Sequence, residues 1–336
     1  MVGAVLVRDL VVDGTRWSKG RRLSIEDVAA LARAGAVSPN VEALTVIIPG
    51  PDELHEDEAA TRLAAAVTGP GLTTRGPNES RVDLLAAADG VLHVRTRVLE
   101  LLNRIDPLEV FTALDGSIVR AGQLVASVKV APHVVEASLV EAGARHAGFG
   151  QRPIVWLAPF RPMLVGVVVK ESLRATDRER FERSVRTKVE SLGSRVAALV
   201  YATDDLAAVE AALDALTRRH HAADVILTAG GRSTDPTDPF FVAIERLGGS
   251  IVRHGVPAHP GSMLWLARIR RTAILGLPTC GAYSKATAAD LLLPRLLTGE
   301  PPTLQTVSRL GHGGILTRDM RFRFPAYARD LEAPEG

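Results

Sequence analysis

The chain has 336 residues, of which 46% are hydrophobic and 23% charged, and its formal net charge is +2. This length allows two or three domains, and this composition is that of a globular protein rather than a disordered one. The small positive excess does not favour nucleic acid as a partner, and no uncharged apolar run approaches the length of a membrane span.

The single cysteine, Cys280, excludes an intramolecular disulfide and a cysteine-rich zinc site. The first residues lack the apolar region of a signal peptide. We therefore expect a cytoplasmic protein whose partners include neither nucleic acid nor a membrane.

The first 155 residues combine short strand and helix patterns. Ser24 and Asp27 have the spacing of a capping box, which predicts a helix that begins after Ser24. The alanine-rich stretch 54–67, with its acidic residues first, predicts a second helix.

Further along this region, the Gly- and Pro-rich stretch 69–88 predicts a break in regular structure. Alternating apolar residues over 121–131 then predict a half-buried strand in a small β-rich unit. Residues 1–155 are therefore expected to form a mixed α+β, partly β-rich region, with an internal division near 68–80.

The pattern changes at residue 162, where apolar runs typical of buried strands begin to alternate with amphipathic helix patterns. Strands are predicted at 163–169, 195–201, 224–228, 251–254, 264–269 and 272–277, and helices at 176–191, 204–219, 239–247 and 284–297. This alternation predicts an α/β domain over 160–300, a three-layer α/β/α structure with a mainly parallel sheet. The Pro- and Arg-rich tail 301–336 is expected to wrap over another domain or to stay loosely ordered.

Two of these strands end in glycine-rich polar loops. Gly230 and Gly231 follow the strand at 224–228, and Pro278 and Cys280 follow the strand at 272–277. Open α/β sheets bind ligands beyond the carboxyl ends of their strands. We therefore expect both loops to line one pocket for a phosphate or another oxyanion, although a lone Gly-Gly pair can equally serve only to turn the chain.

Two aspartates in the first loop, Asp235 and Asp238, each precede a proline. Asp238 before Pro239 has the form of a helix N-cap followed by proline at the first helical position, which explains it structurally. The functional alternative is that both carboxylates hold Mg²⁺ at the mouth of the pocket. The two interpretations are compatible, since a capping carboxylate can keep one oxygen free.

Residues 162–300 resemble the molybdopterin-binding domain of molybdenum cofactor biosynthesis, as found in molybdopterin molybdenumtransferase and gephyrin-type proteins. The first matching block is Gly-Gly-x-Ser with a later Asp, met by Gly230, Gly231, Ser233 and Asp238. The other blocks are Pro260-Gly261, whose flanking family lysines are replaced by His259 and Ser262, and Gly276-Leu277-Pro278, which continues as Thr279-Cys280-Gly281. The segment after the first strand, Lys170-Glu-Ser-Leu, lacks the family's Gly-Asp-Glu signature, so the chain looks closer to a divergent bacterial branch.

The resemblance implies that the domain binds molybdopterin or its adenylylated form, an anionic pterin, with Mg²⁺ and molybdate as further expected ligands. It implies a catalytic role for Asp238 and metal binding by Asp235 and Asp238. The implied cofactor-binding residues are Thr228, Gly230, Gly231, Ser233, Pro260, Gly261, Gly276, Leu277, Pro278, Cys280 and Ser284. It also implies association into a homo-oligomer.

Two functions stay open at this point. The first is molybdate insertion into the bound pterin by a molybdopterin molybdenumtransferase, which the intact Gly-Gly-x-Ser and Asp238 favour. The second is a non-catalytic carrier or sensor of the cofactor, which the missing lysines favour. A different nucleotide-processing enzyme on the same sheet is a third alternative.

Overall fold

The computed structural model describes residues 1–35, 44–148, 150, 152–170, 174–218, 222–277 and 286–330. The chain divides into two compact units. The first comprises Met1–Ala88, Leu92–Asp115 and Val119–Ala158, and the second comprises Asp89–Val91, Gly116–Ile118 and Pro159–Gly336. No helix in the described ranges combines the length and the apolar character needed to cross a membrane.

The described residues of the first half of the chain form short strands and four helices. In chain order these are β1 (Val5–Leu6), β2 (Leu10–Val12), β3 (Thr15–Trp17), α1 (Ile25–Gly35), β4 (Val46–Ile47), β5 (Glu53–His55), α2 (Glu56–Val67), β6 (Leu72–Asn78), β7 (Arg81–Ala86), β8 (Gly90–Val94), α3 (Thr96–Leu102), β9 (Leu108–Thr112), β10 (Ile118–Val119), β11 (Leu124–Val130), β12 (Val134–Glu136), α4 (Ala137–Ala147) and β13 (Val155–Pro159).

The predicted capping box at the start of α1 is confirmed. The amide of Asp27 donates to the Ser24 hydroxyl (3.2 Å), and the amide of Ser24 donates to the Asp27 carboxylate (3.1 Å). These reciprocal bonds satisfy two donors that a helix start otherwise leaves unpaired. Arg21 adds two hydrogen bonds to the same carboxylate.

A four-stranded antiparallel sheet with the order β6-β7-β11-β9 forms the largest β-structure of the first unit, and its core includes side chains of α2 and α4. The predicted strand at 121–131 is confirmed as β11. The expected break over 69–88 is wrong, because this stretch forms the paired strands β6 and β7. Glycine and proline are tolerated in β6 because it lies at the edge of the sheet.

The second half of the chain contains an alternation of strands and helices. In chain order these are β14 (Leu164–Val169), α5 (Ala175–Glu190), β15 (Arg195–Tyr201), α6 (Leu206–Thr217), β16 (Val225–Ala229), α7 (Pro239–Arg246), β17 (Ser250–His254), β18 (Trp265–Ile269), β19 (Thr272–Gly276), α8 (Ala289–Leu296), α9 (Leu304–Ser308) and α10 (Tyr327–Asp330). The strands form one six-stranded sheet in the order β15-β14-β16-β19-β18-β17.

This sheet is mainly parallel, as predicted. The four strands from β15 to β19 run parallel, and β18 and β17 are antiparallel to their neighbours. Alternate residues of β14 and β16 enter two separate hydrophobic cores, because successive side chains of a strand point to opposite faces. One core includes α5 and α8 and the other includes α6 and α7, so the domain has the predicted three layers.

The C-terminal tail contributes buried side chains to the core of its own unit. Val307 and Leu310 from the α9 region, with Tyr327 and Ala328 of α10, are buried in the same core as α5 and α8. The sequence did not predict this packing, because the apolar residues of the tail are too few and too widely spaced to show a helical period.

Candidate functional site

The carboxyl ends of the four parallel strands meet at one edge of the six-stranded sheet. Hydrogen bonds hold the segments that leave this edge side by side: the amide of Lys170 donates to Ala229 O, and the amide of Leu277 donates to Thr228 O, each at 2.9 Å. The loop that follows Ala229 and the segment that follows Gly276 therefore leave the sheet from adjacent strands.

The loop between β17 and β18 lies at the same edge. Trp265, the first residue of β18, pairs with Gly276, the last residue of β19, and also with His254, the last residue of β17. Pro260 and Gly261 are in this loop, so all three segments that carry the family resemblance meet at one edge of the sheet.

Asp238 lies at the centre of this edge and is fully buried. It is the N-cap of α7, since its Oδ1 accepts a hydrogen bond from the amide of Phe240 (2.9 Å). Its Oδ2 accepts two more, from the amide of Arg232 (2.8 Å) and from Nζ of Lys170 (2.7 Å). The capping prediction is confirmed, and both carboxylate oxygens have protein donors.

Lys170 is the residue that the sequence-based prediction missed. It follows β14 directly, and its side chain is fully buried. Its Nζ lies 2.7 Å from Asp238 and 2.8 Å from Oδ1 of Asp204, which follows β15. It also lies 5.5 Å from the centre of the Phe240 ring. A lysine in place of the family's Gly-Asp-Glu signature was the only signal in the sequence.

Arg232 and Asp204 are the exposed members of this cluster of charges. Arg232, whose side chain is 55% exposed, donates from Nη1 to Asp204 (2.8 Å), and its Nε lies 3.4 Å from Asp235. The hydrogen bond from Lys170, followed by that from Arg232, holds the pKa of Asp204 below its usual value, although burial opposes them. The hydrogen bond to Asp204 likewise raises the pKa of the Arg232 guanidinium.

Asp235 bonds within its own loop. Its Oδ1 accepts hydrogen bonds from the hydroxyl (2.7 Å) and the amide (2.8 Å) of Thr237, and these lower the pKa of the Asp235 carboxyl. Its side chain does not share the buried position of Asp238, since it is 34% exposed.

The predicted Mg²⁺ site does not fit these contacts. An ion bound to Asp238 would have to displace the Lys170 ammonium or the backbone donors, because both carboxylate oxygens accept hydrogen bonds. Among the described residues, no three His, Cys, Asp or Glu side chains are grouped so as to hold a metal ion. We therefore assign no metal-dependent step to Asp235 or Asp238.

The other predicted binding residues differ in how exposed they are to a ligand at this edge of the sheet. Thr228 and Leu277 are buried, Ser233 is partly exposed in the Gly-Gly loop, and Gly230 has a backbone φ of +84°, which favours glycine. Pro278, Cys280 and Ser284 lie outside the described residues. The ligand contacts of these residues stay predictions.

One family model matches part of the second half of the chain. Residues 167–298 match the family model described as "Probable molybdopterin binding domain". A comparison with curated protein sequences finds no match.

Solved structures with similarity to the chain include three proteins of related description. The MoeA molybdopterin biosynthesis protein from Pyrococcus horikosii is 14% identical, with 77% of this chain and 81% of that chain covered and a TM-score of 0.33. The molybdopterin biosynthesis enzyme MoaB from Thermus theromophilus is 21% identical, with 41% and 98% covered and a TM-score of 0.30. A molybdenum cofactor biosynthesis protein B is 16% identical, with 46% and 98% covered and a TM-score of 0.31.

The family match covers most of the sheet, the Gly-Gly loop, the loop between β17 and β18, and the end of β19. Residues 167–298 of this chain are therefore similar to the molybdopterin-binding domain family.

Proposed function

We propose that the chain acts in molybdenum cofactor biosynthesis by binding molybdopterin, or its adenylylated form, at the carboxyl edge of the six-stranded sheet. The observation that carries this proposal is the meeting of three loop segments at that edge, within residues that match the family model. The ligand side of the site consists of the Gly230-Gly231 loop, Pro260-Gly261 and the segment after Gly276.

Arg232 is the side chain best placed to meet an anionic group of the ligand. It follows Gly231 directly, its side chain is 55% exposed, and its guanidinium is always charged at physiological pH. A planar guanidinium offers paired donors that match the oxygens of a phosphate. In this role Arg232 substitutes for the positive charge that the family's lysines supply at the positions of His259 and Ser262.

Non-catalytic binding, as a carrier or sensor of the cofactor, is favoured over molybdate insertion by the environment of Asp238. The carboxylate proposed for catalysis is fully buried, caps α7 and is paired with Lys170. Molybdate insertion with loss of the nucleotide is the second candidate, and the intact Gly-Gly-x-Ser segment supports it. Both candidates have the same binding step, so binding is tested first.

Isothermal titration calorimetry with molybdopterin and with adenylyl-molybdopterin tests the binding step. The intact protein should bind at least one of them, and Arg232→Ala should weaken binding by about tenfold or more, the loss of a charge-assisted contact. Arg218→Ala is the matched control. Arg218 is also an exposed arginine paired with an aspartate, but it follows the C-terminus of α6, whereas Asp204, the partner of Arg232, precedes the N-terminus of α6. If neither compound binds, the proposed function is wrong.

Molybdate-dependent formation of active cofactor then separates catalysis from carriage. A carrier should bind the pterin and form no cofactor when molybdate is added. Turnover that is lost in Asp238→Asn while pterin binding is retained, and that is kept in Asp235→Ala, would instead support the transferase.

A further inference from the structure

We propose that Lys170 is the resident cation of this site, so that the domain holds its carboxylates and binds its ligand without a divalent metal ion. The ligand part of this inference rests on the proposed function. The cation part rests on the contacts of Lys170 alone and can be tested separately.

The position of the Lys170 ammonium is that of a bridging cation. Its Nζ contacts one oxygen of Asp238 at 2.7 Å and one oxygen of Asp204 at 2.8 Å, and the Phe240 ring lies 5.5 Å away. A magnesium ion binds carboxylate oxygens at about 2.0–2.1 Å and keeps several water molecules in an octahedral shell. The volume between these two carboxylates is already filled by the ammonium group.

The fold explains how a lysine reaches this position. Lys170 continues β14, which lies between β15 and β16 in the sheet, and Asp204 and Asp238 come from the segments after those two neighbours. A single side chain at the end of the middle strand therefore spans both neighbouring loops.

Every carboxylate of the cluster already has a cationic partner within the protein. Three carboxylates, those of Asp204, Asp235 and Asp238, face two cations, Lys170 and Arg232. Burial of an isolated charge is unfavourable, and the ion pair offsets that cost for Asp238. Entry of a divalent ion would leave the displaced ammonium buried or force it out of the domain.

The consequence for binding is that the Gly-Gly loop has its shape before any metal is present. The amide of Arg232 and Nζ of Lys170 both bond to Oδ2 of Asp238, so the first residue after the glycines is tied to the end of β14. The Arg232 side chain is thereby held at the rim of the site by a cation that cannot be removed by a chelator.

Electron paramagnetic resonance with Mn²⁺ as the probe tests the resident cation directly. The intact protein and Asp204→Asn should give the same Mn²⁺ binding, since the ammonium already fills the site. Lys170→Ala should open the site between two carboxylates and raise Mn²⁺ affinity by at least about tenfold, a change of about 1.4 kcal/mol. Lys170→Ala/Asp204→Asn should lose that gain, and circular dichroism checks the fold of each variant.

Two results would overturn the inference. One is Mn²⁺ binding by the intact protein that Asp204→Asn abolishes. The other is calorimetric binding of molybdopterin or its adenylylated form that requires Mg²⁺ and is abolished by EDTA. Both measurements use the intact protein as the reference, so they decide the inference even if Lys170→Ala does not fold.

The two proposals fail in different ways. Absence of pterin binding with and without Mg²⁺ contradicts the proposed function. The Mn²⁺ measurements would still test whether Lys170 occupies the place of a metal ion. Pterin binding that depends on Mg²⁺ supports the proposed function and contradicts the resident cation.

Discussion

The indole ring of Trp265 packs directly against the backbone of Gly276. The two residues are partners in the antiparallel pairing of β18 and β19, and any Cβ on Gly276 would overlap the ring. Trp265 is almost fully buried and also contacts the rings of Phe240 and Phe241. Gly276 therefore has a packing function that is independent of its predicted ligand role.

Gly276→Ala should destabilise the protein by about 1–3 kcal/mol, the usual cost of overfilling a packed core. Urea unfolding followed by tryptophan fluorescence measures this change. Gly311→Ala is the control, because a Cβ at Gly311 meets Pro257 at an ordinary distance of 3.5 Å. Equal midpoints for the two variants would show that Trp265 can move aside, and the packing argument would then be wrong.

The sheet of the second unit could be predicted from the sequence because its strands are apolar on both faces. The predicted strand at 195–201 coincides with β15, and 163–169 differs from β14 by one residue. Continuous apolar runs that alternate with helix patterns are typical of a parallel sheet covered by helices on both faces. The edge strand β6 could not be predicted in this way, because most of its residues are exposed and it contains glycine and proline.

The charge cluster at the sheet edge could be predicted only in part. The cap formed by Asp238 follows from the local sequence Asp-Pro, since the donor is two residues away. The partner Lys170 is 68 residues away in the sequence. The spacing of apolar residues does not predict which charged side chain at the end of a strand is buried. The sequence therefore predicted the cap formed by Asp238, and the contact between Asp238 and Lys170 is visible only in the structure.

Asp238→Ala should cost about 3–5 kcal/mol of unfolding free energy, because it leaves the buried Lys170 ammonium with one partner fewer. Asp238→Asn should cost less, since an amide oxygen can still cap α7. Asp235→Ala, at a more exposed carboxylate in the same loop, should cost no more than about 1 kcal/mol. Guanidinium chloride unfolding of the three variants checks this order. A loss for Asp235→Ala as large as that for Asp238→Ala would contradict the importance of burial.

The capping box of α1 should make the stability of the first unit depend on pH. The hydrogen bond from Arg21 is the main cause that lowers the pKa of Asp27. Since the folded pKa lies below the unfolded value of about 3.8, the contribution is complete above that value and disappears as the pH falls through the folded pKa. The difference in thermal midpoint between the intact protein and Asp27→Asn should therefore be constant from pH 5 to 7 and shrink below about pH 3.8.

The Ser24 hydroxyl gives the same box a second test that does not depend on pH. Ser24→Ala should lower the unfolding free energy by about 1 kcal/mol, the usual cost of losing an N-cap, and Ser24→Thr should retain most of it. The loss should be the same at pH 5 and pH 7, because a hydroxyl does not titrate there. A loss that disappears at pH 5 would contradict its assignment to the cap.

A second buried ion pair holds α5 to α8 and to the C-terminal tail. Lys188 of α5 donates to the fully buried Asp290 of α8, and its Nζ lies 5.5 Å from the ring of Tyr327 in α10. Burial, followed by the charge of Asp290, raises the pKa of Tyr327 well above its usual value.

A double-mutant cycle with Lys188→Met and Asp290→Asn should show strong coupling between the two charges. Each single variant leaves a buried charge without its partner, at a cost of about 3–5 kcal/mol. The double variant should cost at least about 1 kcal/mol less than the sum, because neither charge is then present. Arg186→Ala is the control on the same helix, since Arg186 and Glu190 form an exposed pair whose loss should cost less than about 0.5 kcal/mol. Additive losses in the cycle would show that Lys188 and Asp290 contribute independently, and the ion pair would then not hold α5 to α8.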